Sequence, residues 1–258
     1  MFAANPRRGK LQLFRNTLYG MAFLLPTLRG TLLAALQAAR GWNNLVPPHS
    51  PPPLSRDIVS ACAAILWKVG RKSASGAILC AFHAFLRARE LCPICWRDLC
   101  FPGDPRLSDF SEQARSGLVV RSAKTGTDQY VPLSDVVLLR CLRSIKRSQR
   151  SPGSALVFKT TYASLSSIML YALSSLGPDG VGYTLHSLRH GGATMEWLEG
   201  ASIQDLMMKG RWKAEASCKN YLNGGKALLI TSAISRDSKR LVQSNAVWLS
   251  AIFSGGGG

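Results

Sequence analysis

Acidic side chains are scarce in this chain: 14 Asp and Glu stand against 32 Lys and Arg, a formal charge of +18 over 258 residues. That imbalance exceeds what solubility requires. It argues against a cationic partner and points to a polyanion, which such a field collects and steers. No Asp or Glu occurs before Asp57, although seven Lys or Arg do, so the first stretch has the composition of a basic arm or of an organelle transit peptide. Long apolar runs are missing too. Met21-Ala-Phe-Leu-Leu is interrupted by Pro26 and Arg29, too soon to span a bilayer, and no membrane segment is expected. The chain has no Walker loop, no paired metal carboxylates and no zinc-finger spacing, so neither a metal ion nor another cofactor is expected. Cys92-Pro-Ile-Cys95, with Cys100 nearby, lacks the second ligand pair that a zinc site needs. The seven cysteines are odd in number and lie mostly in apolar segments, as Cys62 and Cys80 do. They read as small core residues and fit a reducing compartment, whether nucleus, nucleoid or organelle. The aromatic residues are too scattered to form a base-stacking platform.

The length allows one full domain with an attachment. Pro47-Pro-His-Ser-Pro-Pro-Pro53 reads as a stiff linker, leaving residues 1–46 as a basic helical arm, residues 54–224 as the main domain and residues 225–258 as a tail. Within the arm, Leu32 to Trp42 reads as one helix stopped at Gly41. After the linker a helix begins near Ser55, its cap. The apolar run Ala77 to Leu86 reads as a buried helix continuing through Arg87-Ala-Arg89-Glu90-Leu91 until Cys92-Pro93 breaks it. Gly117 to Ser122 and Gln129 to Leu133 read as two strands, with Ala123 to Asp128 as their turn. Ile203 to Tyr221 reads as short helices broken at Gly210 and Trp212. The fold class expected is mainly α with a small antiparallel β-sheet. Two basic clusters, Arg140, Arg143, Lys146 and Arg147, then Lys209, Arg211 and Lys213, are candidates for contacts to a phosphate backbone; a solvated helix face is the alternative for the first.

The densest chemistry runs from His186 to Tyr221: His186-Ser-Leu-Arg189-His190-Gly-Gly192, then Gly210-Arg211-Trp212, then Tyr221. A tyrosine attacks phosphorus if its phenol loses a proton and fixed donors meet the charge on the phosphoryl oxygens. Arginine supplies such donors in a planar, permanently charged fork. His186 and Arg189, three apart, share a helix face and can reach one group. The Trp212 indole N–H only donates and suits a non-bridging oxygen. Upstream, Arg87 offers a second guanidinium and Lys124, on the expected hairpin, a proton source. Each has an ordinary reading alone: a surface arginine beside Glu90, a turn lysine, a capping histidine, a core tryptophan, a half-buried helix tyrosine. Their joint occurrence in order carries the argument.

These residues resemble the catalytic domain of the tyrosine recombinases, the integrase family that breaks and rejoins DNA through a phosphotyrosine. The resemblance covers roughly Pro53 to Asn223. It rests on Arg87 in an Arg-x-x-Glu-Leu setting, Lys124 on a hairpin, His186-x-x-Arg189, Trp212 where many members have His, and Tyr221. It implies that Tyr221 forms a 3′-phosphotyrosyl link, that Lys124 protonates the departing 5′ oxygen, and that Arg87 and Arg189 hold the transition state. It further implies that His186 moves the tyrosine proton, that Trp212 donates to a phosphate oxygen, and that His190 and Glu90 support the set. Double-stranded DNA is then the partner, a homotetramer on DNA the working assembly, and the tail a candidate protomer-packing segment. Members carry a helical DNA-clamp domain before the catalytic one, and here only its last helix is expected in residues 1–46. That shortening keeps alternatives open: a DNA-binding relic of a mobile element without turnover, or a type IB topoisomerase-like activity. A basic RNA-binding protein is the rival from another class.

Overall fold

The computed structural model describes residues 6–45, 51–101, 104, 116–123, 126–178 and 181–254. Lys124 and residues 47–50 of the Pro-rich segment lie outside them. The chain divides into two compact units, Met1–Ser50 and Pro51–Gly258.

The first unit is a helical hairpin. Helix α1 (Pro6–Leu24) is followed by a 3-10 turn (Pro26–Arg29) and by α2 (Leu33–Leu45). Leu11, Phe14 and Leu18 recur at helical spacing and close on Ala39, Leu36 and Trp42, with the Phe14 and Trp42 rings 6.1 Å apart. Two helices stand where only one was expected, and α2 runs through Gly41 instead of stopping there. A glycine inside a helix costs only about 1 kcal/mol, and the packing of the partly buried Trp42 against Phe14 beyond it offsets that.

In the second unit, Ser55 caps α3 (Arg56–Lys68), accepting from the Ile58 N–H at 3.4 Å. Helix α4 (Lys72–His83) is buried along most of its length. It ends earlier than expected: Phe85 turns into the left-handed region at φ 48°, and Arg87 then caps a separate one-turn helix, α5 (Ala88–Leu91). The break lets the Glu90 carboxylate fold back onto the Arg87 N–H at 2.9 Å, a capping contact that a continuous helix has no place for. Strands β1 (Leu99–Cys100), β2 (Gly117–Ala123) and β3 (Gly126–Pro132) form an antiparallel sheet in that order. The β2–β3 pairing reaches Ala123 opposite Gly126, so the strands run closer to Lys124 than the sequence implied. Arg121 ties the sheet to the preceding 3-10 turn, meeting the buried Asp98 at 2.7 Å and Asp128 at 3.0 Å.

Helices α6 (Val136–Gln149), α7 (Tyr162–Leu176) and α8 (Leu185–Leu198) complete the core with α3 and α4. Short helices α9 (Ile203–Gly210) and α10 (Glu215–Lys219) lead to Tyr221, and α11 (Gly224–Ala233) and α12 (Arg236–Ser254) follow. Helix α12 packs on α3 of its own chain, burying Val242, Leu249 and Phe253. The Phe253 ring meets Trp67 edge-on at 4.9 Å. Arg140 donates to the last carbonyls of α12, Phe253 O and, at 2.8 Å, Ser254 O; carbonyls unpaired at a helix end are natural acceptors for a cation.

The glycine pair of α8 decides how close this helix comes to its neighbours. A Cβ on Gly191 would lie 2.1 Å from Leu54 O, and one on Gly192 would lie 2.1 Å from Phe82 O. Both obstacles are backbone, which cannot swing aside. Gly192→Ala is therefore expected to lower stability by about 3 kcal/mol, the upper range for overpacking. A thermal unfolding midpoint equal to that of the parent chain would contradict this.

Candidate active site

Helix α8 brings His186, Arg189 and His190 to one face and sets them against the chain between α4 and α5 and the segment after α9. Arg189 is fully buried. Its Nη1 donates to Phe85 O, its Nη2 donates to Gly210 O at 2.6 Å, and its guanidinium lies 4.7 Å from the Trp212 ring and 5.2 Å from that of Tyr221. The left-handed turn at Phe85 is what aims that carbonyl inward. Burial, then repulsion from Arg87, lowers the Arg189 pKa to about 10, so the group stays cationic at neutral pH.

Glu90, 4% exposed, is the hub of three arginines. One carboxylate oxygen meets Arg87 Nη1 at 2.5 Å; the other meets Arg211 Nη2 at 2.7 Å and lies 3.8 Å from Arg189 Nη1. Burial alone raises the Glu90 pKa, but Arg211 and Arg87 outweigh it and hold the carboxyl below its ordinary range. Three guanidinium groups around one carboxylate leave an excess of positive charge facing an open cleft. The cleft, of about 410 Å³, is lined by Arg87, Arg211, Trp212, Lys213, Ser217, Asn220 and Tyr221.

The Tyr221 ring sits in an aromatic stack. It lies 4.4 Å from His190 at 25°, 4.8 Å from Trp212 and 5.4 Å from His186. Its backbone carbonyl accepts from the Thr194 hydroxyl at 2.9 Å, and that hydroxyl in turn accepts from the Asn223 N–H at 3.3 Å. Thr194 is thus a positioning residue the sequence reading missed, although it lies four after His190 and so shares its face. Gly210 is needed where Trp212 folds back: a Cβ there would lie 1.9 Å from the indole. Three buried N–H donors at this place, Arg189 Nε, Arg211 Nε and Trp212 Nε1, have no acceptor among the described residues. Each costs about 1–3 kcal/mol when left so.

Of the sequence candidates, Arg87, Glu90, His186, Arg189, His190, Trp212 and Tyr221 come together, and Lys124 lies outside the described residues. The basic clusters divide. Lys213, Lys146 and Arg147 are exposed, and Arg143 and Lys146 lie 5.6 and 5.5 Å from the Phe101 ring. Arg140 is engaged with the end of α12. Lys209 pairs with Glu196, and Arg211 is 7% exposed and turned inward to Glu90. Arg211 stands at φ 58°, a left-handed backbone that costs a non-glycine residue roughly 1–2 kcal/mol.

Both α8 histidines are held neutral. Burial first, then Arg189 and Arg87, lowers the His186 pKa; burial, then His186, lowers that of His190 to about 4. His83, at the end of α4, is likewise lowered to about 4 by burial, against the pull of Asp135. It is therefore neutral at pH 7, and its 3.7 Å contact with Asp135 is no ion pair there. A histidine whose folded pKa lies below its unfolded value of 6.5 adds stability above pH 6.5 and loses it as the unfolded chain takes up a proton. Between pH 7 and pH 5, His83 and His190 are each expected to cost about 2 kcal/mol. Denaturant unfolding at the two pH values measures it; equal free energies would refute the neutral assignment.

No protein-family model and no curated protein sequence matches this chain. Solved structures do resemble it. The crystal structure of XerA recombinase superposes with a TM-score of 0.54 at 18% identity, over 84% of this chain and 82% of that one. A post-cleavage complex of the XerH site-specific recombinase with its difH substrate gives 0.53 at 13% identity, over 77% of this chain; it spans about half, 53%, of the XerH chain. The Tn1549 transposon integrase, in complex with transposon right end DNA, gives 0.53 at 14%, covering 78% and 67%. With its helical core, three-stranded antiparallel sheet and terminal helices, the chain has the fold of a tyrosine recombinase catalytic domain.

Proposed function

We propose that this protein breaks and rejoins DNA at specific sites through a covalent 3′-phosphotyrosine at Tyr221. The observation that carries the reading is the cluster of three buried donors without acceptors, Arg189 Nε, Arg211 Nε and Trp212 Nε1, beside a tyrosine and an arginine-lined cleft. A phosphodiester supplies acceptor oxygens and the negative charge that this surplus of cations lacks.

In the proposed step the Tyr221 oxygen bonds to phosphorus as the bond from phosphorus to the 5′ oxygen breaks. The phenol proton passes to His186, which is held neutral and therefore able to accept it, and Lys124 protonates the leaving oxygen. Arg87 and Arg189 hold the non-bridging oxygens. One phosphoester bond replaces another, so rejoining needs neither ATP nor a metal ion. Arg189 lies beneath Trp212 and Tyr221 in the described state, so engaging a phosphate requires the segment from Trp212 to Tyr221 to move outward while Arg211 keeps its contact with Glu90. That burial also favours a second reading, DNA binding without turnover. Assembly of several copies on DNA belongs to the proposal; the exposed Leu228 and Leu229 of α11 offer apolar surface for it.

The test is covalent trapping. The protein is mixed with nicked duplexes carrying a randomised site, denatured in detergent, and the slow-migrating DNA is digested and sequenced. An adduct on the peptide containing Tyr221, with a common sequence in the trapped DNA, supports the reading. Salt-sensitive binding with no adduct supports the second.

A further inference from the structure

We infer that Arg211 is a positioning residue for the proposed cleavage, holding the Glu90 carboxylate so that Glu90 in turn aims Arg87 into the cleft. The inference rests on the reading above and adds a part to it, since Arg211 drew attention in the sequence only as one of several surface cations.

Four observations converge on it. Arg211 occupies a left-handed backbone position, where glycine is the unstrained choice, so its side chain must contribute enough to offset that strain. The side chain is 4% exposed, yet it borders the same cleft as Arg87 and Tyr221. It donates to the Glu90 oxygen that also accepts the Arg87 backbone N–H, while the other Glu90 oxygen faces Arg87 Nη1. Both Arg211 and Arg189 donate to Phe85 O, Arg211 at 3.4 Å. Arg211 therefore fixes the plane of the carboxylate that orients one phosphate-holding arginine, and it shares an acceptor with the other.

The charged groups facing Glu90 are Arg87 from its own turn, Arg189 from α8 and Arg211 from the segment after α9. Removing Arg211 removes the foremost of the cations that hold the Glu90 carboxyl low. Its pKa then rises, and Arg87 loses its charged partner at a higher pH than in the parent chain. A structural contact alone lowers the folded fraction but has no reason to move a pH profile in this direction.

The experiment uses the full chain with Arg211→Gly and Arg211→Lys. Gly relieves the backbone, and Lys keeps the charge without the fork. The rate of adduct formation on the nicked duplex is followed against pH, beside thermal unfolding. Arg211→Gly is expected to slow adduct formation on the order of 10²-fold, the scale of a misplaced catalytic group, and to move the acid limb of the profile to higher pH; Arg211→Lys should recover part of both. A parent-like rate and profile in Arg211→Gly overturns the inference, as does a loss that follows the unfolded fraction alone. If the parent chain forms no adduct, the cleavage reading fails, and the Arg211 inference is judged on inorganic phosphate. Titrating phosphate against the Arg87 side-chain Nε–H resonance should then give about tenfold weaker affinity in Arg211→Gly, and equal affinities overturn it.

Discussion

Tyr221→Phe is expected to abolish the DNA-linked adduct, by at least about 10⁴-fold, the scale on which removal of a nucleophile is felt. The substitution takes away one oxygen and keeps the ring, so the contacts with His190, His186 and Trp212 and the guanidinium of Arg189 beneath the ring persist. Stability should change by less than about 0.5 kcal/mol, and the salt-dependent affinity for duplex DNA, set by surface Lys and Arg, should remain. Separating those three readouts gives the experiment its force. Loss of the adduct with unfolding intact assigns the chemistry to the phenol, whereas an undiminished adduct moves the nucleophile to another side chain and ends the proposal.

The largest effect on stability is expected at Glu90. In Glu90→Ala, Arg189 and Arg211 remain buried, and both lose the carboxylate that they and Arg87 share. Removing one side of a buried ionic cluster costs about 3–5 kcal/mol, because the charges left behind have no compensation. For a unit of about 200 residues that corresponds to a fall in the unfolding midpoint on the order of 10 °C. Arg87→Ala, by contrast, removes the most exposed member, at 23%, and leaves Glu90 with Arg211, so its cost should be about 1 kcal/mol in stability while adduct formation falls far more. If calorimetry found Glu90→Ala within 2 °C of the parent chain, Glu90 would not be the hub that the distances describe.

The glycine pair shows how a sequence can name a residue without giving its reason. Gly191 and Gly192 stand beside the His186 and Arg189 pair in the sequence, but their role lies in Leu54 and Phe82, which the path of the chain brings against α8. Likewise the run from Ala77 to Leu91 has the apolar pattern of one helix. It breaks at Phe85 because the turn delivers a carbonyl to Arg189 and Arg211, and neither arginine lies within a helical turn of it.

Local pattern alone determined the mainly helical class with a small antiparallel sheet, the Ser55 cap of α3, the strand pair on either side of Lys124, and the shared helical face of His186 and Arg189. All of these depend on interactions between residues a few positions apart, which periodicity and turn chemistry encode. Tertiary structure decided the rest. Arg211 and Glu90 are separated by 121 positions, so nothing local marked Arg211 as a buried partner rather than a surface cation. Arg140 likewise meets the end of α12 across 113 positions. Contacts of this kind are set by where the backbone returns and by how completely water is excluded there, and a linear sequence records neither.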